Sequence, residues 1–239
     1  MFGHLKLGLR EHDPKRVSRV VMLTLENAPV DPMVSRTPKD WAVGRAWDDD
    51  VLGNDILGDC GPAACVNWLK MMATACGRER MEFTYDDART AYRALGWDGT
   101  DATDQGVVLL DLMEYWTRHP IGGFQLDCFF SIGFADAEHL STAVQFAPLI
   151  IGAELTTDCK HSDMWGAPEA DGPQVWGGHA YLYHSDSPGG GNGKSWGQPV
   201  YTTPSFRARR WRECYLPICR ELMPAGVDSQ RLLAIAKGL

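Results

Sequence analysis

The sequence is short of several things, and each shortage removes a class of function. No apolar run approaches the ~20 residues that a bilayer-spanning helix needs, so no membrane span is expected. The stretch from Met1 to Arg19 is polar and basic with no apolar centre, so it does not read as a secretory signal. A cytoplasmic protein is expected, released if at all by cell lysis. Positive charge is in deficit: 23 Lys and Arg stand against 31 Asp and Glu, for a net charge of −8. Duplex nucleic acid demands a basic face, so it is not an expected partner. The one basic run, Arg207-Ala208-Arg209-Arg210-Trp211-Arg212, reads as a solvated helix face or a local contact. There is no CxxC pair among the seven cysteines, at positions 60, 65, 76, 128, 159, 214 and 219, which argues against a zinc ribbon or a redox dithiol. Cys159-Lys160-His161 has no second ligand pair to complete a metal site, and no cofactor is expected. Most of these thiols are expected to be reduced, buried, small apolar groups, and their odd number leaves room for one with a chemical task. Internal repeats and low-complexity tracts are also lacking.

What is present suits one large domain, or two small lobes over a shared cleft. The chain has 239 residues, 44% of them hydrophobic and 23% charged. Residues 1–50 show no sustained periodicity. Pro14, Pro29, Pro32 and Pro38 interrupt them and Asp48-Asp49-Asp50 closes them. They read as an extended arm that wraps its own domain or a neighbour, with a short strand around Val20–Leu25. A helix is predicted over 60–76, where Ala64, Trp68, Met71, Met72 and Ala75 form one buried stripe. Thr84 with Asp87 makes a capping-box variant for a second helix, carrying Ala88, Ala91, Tyr92 and Leu95 and stopped by Gly96. Leu109, Leu112, Met113 and Trp116 mark a third, with Thr103-Asp104-Gln105-Gly106 as its cap.

The second half changes character. Phe124–Ile132 reads as a strand, Asp136 opens a short helix to about Gln145, and Leu149–Leu155 is a buried strand by its continuous apolar run. His179–His184 reads as another strand. The glycine-rich 189–193 stretch then turns the chain back into Ser195-Trp196-Gly197 and Val200-Tyr201-Thr202. Helices first and strands later indicate an α+β protein with two unlike lobes. The helical lobe covers about 51–120 and the β lobe about 121–223 of a domain spanning 51–223. Residues 224–239 form a helical tail capped by Asp228 or Ser229. The nine tryptophans fall mostly at stripe or motif positions and read as core.

One stretch invites chemistry: Gly53-Asn54-Asp55-Ile56-Leu57-Gly58-Asp59-Cys60-Gly61-Pro62. Cys60 sits where a loop becomes a helix. Free backbone N–H groups and the positive end of the helix dipole gather there, and both favour thiolate, the nucleophilic form. Asp59 beside it adds negative charge that opposes ionisation. A cysteine nucleophile needs a base, and His179 after Gly177-Gly178 supplies one. It also needs donors for an oxyanion, and the Cys60 N–H and the Asn54 side-chain amide supply them. His184 faces the other side of the same strand and reads as structural.

These motifs resemble those of papain-like cysteine peptidases, in particular the divergent branch common in bacteriophage and bacterial genomes. The matching residues are Gly53-Asn54-Asp55 with Gly58-Asp59-Cys60, then Thr103-Asp104-Gln105-Gly106, then Trp176-Gly177-Gly178-His179-Ala180, then Ser195-Trp196-Gly197. The resemblance implies an N-terminal helical lobe, a C-terminal β-barrel-like lobe and an active cleft between them. It implies that Cys60 is the nucleophile and His179 the base. It places Asn54 where the family's oxyanion glutamine stands, and Trp196 where a tryptophan shields the site from water. In the family an asparagine orients the histidine; Lys194 occupies that position here, and lysine cannot accept from the imidazole. Asn192, a backbone carbonyl or Asp186 is left to take that part. The implied activity is amide hydrolysis of a peptide, protein or peptidoglycan cross-link, with no metal or organic cofactor. The other reading is a virion protein, a capsid decoration or minor structural subunit, that keeps the fold with weak or lost catalysis and binds neighbouring virion subunits.

Overall fold

The structure, a computed structural model, describes residues 5–11, 13–17, 20–23, 39–42, 51–79, 81–166 and 174–238. The front of the chain contributes three short pieces: strand β1 (Leu9–Arg10), the helical turn α1 (Pro14–Val17) and strand β2 (Met22–Leu23), the last inside the predicted Val20–Leu25 stretch. Pro29, Pro32, Pro38 and Asp48–Asp50 of the expected arm lie outside the described residues.

Helix α2 (Cys60–Ala75) begins at the predicted cysteine. Its stripe of Ala64, Trp68, Met71 and Met72 is buried, and so are Cys65, Val66 and Leu69, so the helix is enclosed on nearly every side. Trp68 fixes it in two directions. The indole N–H donates to the Pro148 carbonyl at 2.9 Å, and the ring meets Trp116 edge-on at 5.6 Å. Deleting such a side chain costs about 3–5 kcal/mol. Helix α3 (Tyr85–Ala94) starts with the predicted capping box: Thr84 N–H donates to Asp87 Oδ2 at 2.7 Å. Strand β3 (Val107–Val108) leads directly into helix α4 (Leu109–Trp116), whose N-cap is Val108. Thr103–Gly106 therefore does not cap α4. The two-residue strand intervenes, and Asp104 is used elsewhere.

Strand β4 (Cys128–Ile132) starts later than predicted, because Phe124 exchanges backbone bonds with Ile121 in a tight turn at 2.9 and 3.0 Å. Helix α5 (Ala137–Phe146) is capped by Asp136, which accepts from the Glu138 and His139 N–H groups. Then come strands β5 (Leu149–Thr156), β6 (Met164–Trp165), β7 (Val175–Tyr183), β8 (Gly191–Ser195) and β9 (Gln198–Thr202). Helix α6 (Pro204–Arg210), strand β10 (Trp211–Ile218) and helix α7 (Ser229–Ala236), the last capped by Asp228, complete the chain.

Eight strands form one mixed sheet in the order β2-β4-β10-β5-β7-β8-β9-β6. All its pairings are antiparallel except those of the two edge strands, β2 with β4 and β6 with β9. The resemblance implies a barrel-like back lobe; among the described residues the sheet is open, and nothing pairs β2 to β6. The basic run is not a free face. Arg207 is buried against Asp186 and donates to the Tyr183 hydroxyl at 3.1 Å, while Arg210 and Arg212 both reach Glu154. Strand β1 does not join the large sheet. It pairs in parallel with β3, Leu9 opposite Val107, so the front segment lies between the helices and the sheet.

Candidate active site

Cys60 lies at the first turn of α2, and its sulfur accepts the Ala180 N–H from β7 at 3.3 Å. Ala180 follows His179, so α2 and β7 bring the two predicted residues to one place. The site is dry: Cys60 is 1% and His179 0% exposed. Burial pushes the thiol up to about 12, the Asp59 charge adds to that, and the N–H groups of Ala180, Gly8 and Gly61 offset it only in part. The expected thiolate is therefore absent in this state, because desolvation outweighs the helix N-terminus.

The cover is the chain's own front segment. Gly8 presents its N–H to the sulfur, and its carbonyl accepts Val107 N–H at 2.8 Å. No side chain would fit at Gly8, since a Cβ there would stand 1.8 Å from the Gly58 carbonyl oxygen. On the sheet side the Leu9 carbonyl lies against Gly178, where a Cβ would be 2.4 Å from it. Two bare backbones thus let residues 7–9 thread between the halves. Lys6 anchors the segment by an ion pair with Asp104. Asp104 also accepts from Gly58 N–H at 2.8 Å and from the Tyr92 hydroxyl at 2.6 Å. It ties the loop before Cys60, helix α3 and the front segment together. Burial alone would raise its pKa, but Lys6, Tyr92 and the Gly58 N–H outweigh that and hold the carboxylate below its usual range.

The His179 ring is held from two directions. Trp196 stacks on it with centroids 4.0 Å apart and planes 21° apart, and Ser195 Oγ lies 2.7 Å from Nε2. Ser195 ends β8, while Trp196 takes the left-handed φ of 48° at the turn that follows, rather than continuing the strand. Burial lowers the imidazole to about 3, so it is neutral at pH 7, and its Nδ1 has no hydrogen-bond partner among the described residues.

The remaining predicted residues are nearby but otherwise engaged. Asn54 is buried, and its Nδ2 donates to the Leu57 carbonyl at 3.2 Å, inside its own loop. Asp59 is fully buried and neither carboxyl oxygen makes a hydrogen bond of normal geometry. Burial, opposed in part by its own N–H and the Asn54 amide, pushes its pKa to about 8. The negative charge expected beside Cys60 is thus largely titrated away at pH 7. Neither residue weighed as the histidine's orienter is placed for it. Asn192 is exposed and donates to Ser185 Oγ at 2.9 Å, and Asp186 belongs to the Arg207–Tyr183 cluster. His184 lies apart, with Nδ1 2.9 Å from Asp40 Oδ1. All seven cysteines are free thiols, five of them buried.

Solved structures share this chain path. Xylellain, a cysteine protease from Xylella fastidiosa, superposes with a TM-score of 0.62 at 11% identity, covering 90% of this chain and 96% of that one. The fold is papain-like. ProCathepsin B S9 from Trypanosoma congolense gives 0.60 at 9% identity over 92% of this chain and 89% of that one. Procathepsin L 3 of Tenebrio molitor larval midgut gives 0.57 at 10% identity over 91% and 77%. No protein-family model and no curated protein matches the sequence.

Within this papain-like fold, sequence reasoning missed three features. One is the contact of Ser195 with the His179 ring, hidden because the motif directs attention to Lys194. Another is the path of Lys6–Leu9, which carries no periodic signal. The third is a cavity of about 660 Å³ beside Gly177 and Gly178, lined also by Leu9, Ala153, Arg212 and Glu213. Gly152 on β5 lets two of these side chains pack against its backbone: a Cβ there would meet Glu213 Cγ at 2.6 Å and Leu9 Cδ2 at 3.0 Å. Burial raises Glu213 to about 7, although the Tyr215 hydroxyl donates to its Oε2 at 2.8 Å.

Proposed function

We propose that the chain is a papain-like cysteine peptidase held latent by its own residues 7–9. The observation that carries this reading is the Ala180 N–H to Cys60 Sγ bond at 3.3 Å, which sets a sulfur from a helix start beside the residue that follows an imidazole. Withdrawal of Gly8 admits water to the sulfur and removes the desolvation that keeps it protonated. His179 then takes the Cys60 proton on Nδ1, and the thiolate attacks the substrate carbonyl. The oxyanion that forms is held by the Cys60 N–H and by Asn54, whose Nδ2 turns from Leu57 to reach it. His179 returns the proton to the leaving amine. Water, deprotonated by His179, then releases the acyl group and restores the thiol. This chemistry calls for no metal or organic cofactor.

The substrate is a peptide or protein chain, or a peptidoglycan cross-link, lying where residues 7–9 lie. It would accept the Val107 N–H and lay a side chain into the cavity over Glu213. Latency agrees with the names of several similar structures, among them the proform of the ragweed pollen allergen Amb a 11, at 14% identity and a TM-score of 0.51. The helical lobe at about 51–120, the β lobe at about 121–223, the tail at 224–239 and the bacteriophage or bacterial branch remain part of this reading, on the motifs that suggested them. So does the cytoplasm or a virion as the place of action.

The test is peptide hydrolysis and Cys60 labelling by iodoacetamide and a papain-type epoxide inhibitor, in the full chain and in its Gly8→Ala form. Hydrolysis that disappears in Cys60→Ser and in His179→Ala supports the peptidase. The sealed sulfur and Lys194 at the family's asparagine position favour a second reading, a virion or assembly subunit without catalysis. It requires Cys60 to stay inert after Gly8→Ala and the protein to co-purify with larger particles.

A further inference from the structure

The papain-like motif leaves the histidine without an orienting residue, and the buried contacts of the ring supply one. We infer that Ser195 is the positioning residue of His179, its hydroxyl accepting from Nε2–H so that the ring presents a bare Nδ1 as the base. The inference rests on His179 acting as that base, but its geometry stands by itself.

Stacking on Trp196 fixes the plane of the imidazole and nothing more. A half-turn about Cβ–Cγ keeps that plane, exchanges Nδ1 with Cδ2 and exchanges Nε2 with Cε1. A carbon cannot replace Nε2 in the 2.7 Å contact, and Ser195 is only 3% exposed, so the flipped ring would strand a buried hydroxyl. The contact therefore selects one of two otherwise equivalent orientations.

It also selects the tautomer. A proton on Nδ1 would be a buried donor with no acceptor among the described residues. A buried orphan N–H is rarer than an unfilled lone pair. The proton therefore sits on Nε2 and is donated to Oγ, which leaves the Nδ1 lone pair free to accept the Cys60 proton. Once His179 has accepted it, the Nε2–H···Oγ bond becomes charge-assisted and stronger. Ser195 thus favours the imidazolium that must next protonate the leaving amine. Lys194 does not take this part, because adjacent residues of β8 project to opposite faces.

The test uses the full-length protein with ¹⁵N-labelled histidine, read by imidazole ¹⁵N shifts at pH 7 and assigned with His179→Gln. The wild type is expected to show His179 with its proton on Nε2. Ser195→Ala is expected to raise the share with the proton on Nδ1 roughly tenfold, the scale of one net hydrogen bond. Ser195→Thr, which keeps a hydroxyl, is expected to restore the wild-type pattern. Where hydrolysis is measurable, Ser195→Ala lowers kcat by a similar factor with KM unchanged and moves the alkaline limb of the pH profile to lower pH. An unchanged ¹⁵N pattern in Ser195→Ala overturns the inference. So does a wild-type His179 protonated on Nδ1, a result that needs no variant to fold. The expected tautomers without any hydrolysis would remove the catalytic reading and leave the positioning role in place.

Discussion

Substituting Gly8 by alanine puts a methyl group where the structure has no room for it. The new Cβ would stand 1.8 Å from the Gly58 oxygen and 2.2 Å from its carbonyl carbon, both backbone atoms that cannot swing aside. The segment must lift, and lifting breaks the 2.8 Å bond to Val107 N–H and the Gly8 N–H contact with sulfur. Overpacking of this kind costs about 1–3 kcal/mol, and each lost hydrogen bond about 1 kcal/mol. Together these shift the balance by about 3–5 kcal/mol toward an uncovered Cys60, which is roughly a hundred- to several-thousandfold rise in its population. Alkylation of a sulfur reached only through local opening follows that population. Iodoacetamide labelling at pH 7.5, mapped by peptide mass, should therefore accelerate at Cys60 by about that factor. Cys65 is the internal control, since it is wholly buried further along the same helix. Acceleration at Cys60 alone supports the cover. Equal acceleration at both cysteines means global unfolding and refutes it, as does no acceleration at either.

Three further outcomes follow from buried carboxyl groups. Asp59, with its pKa raised from 3.8 to about 8, keeps in the folded state a proton that the unfolded chain has lost, so stability should fall as pH rises through that window. Asp59→Asn should melt higher than wild type at pH 8, by a margin on the order of a few kcal/mol, and equal it below pH ~4 in thermal scans. Asp104 is shifted the other way. Its contribution is present above the ordinary carboxylate range and lost as pH falls through its lowered value, and Asp104→Ala, which orphans Gly58 N–H and the Tyr92 hydroxyl, should cost about 3 kcal/mol in denaturant titrations. Glu213 ionises as pH passes about 7, so an active preparation should prefer a lysine or arginine side chain in that cavity over leucine increasingly from pH 6 to pH 8. The ratio of kcat/KM values should change on the order of tenfold, and Glu213→Gln should abolish the change.

What was legible in the sequence was what local interactions decide. The start of α2 at Cys60, the Thr84–Asp87 capping box, the Asp136 and Asp228 caps and the apolar run of β5 each follow from a few neighbouring residues, and the structure has them all. Errors appear where a distant partner decides. Phe124 reads as strand by composition, yet a turn with Ile121 claims it. Asp104 looks like a cap, but Lys6, Gly58 and Tyr92 converge on it from three other parts of the chain. Ionisation departs from the expectation for the same reason. The helix dipole at Cys60 and the charge of Asp59 are local properties, whereas the burial that overrides both comes from distant segments, among them Gly8, fifty-two positions upstream, and Ala180 on β7. Ser195 was within reach of strand alternation, since a chain that turns Lys194 one way must turn its neighbour the other.

The sheet also bears on how the protein behaves in a crowded solution. An open sheet has two rims of unpaired backbone, and long flat rims recruit foreign strands into aggregates. Among the described residues each rim is a strand two residues long, running parallel to its neighbour, whereas β5, β7 and β10 are enclosed in the middle of the order. So short a foothold gives an invading strand little to zip along.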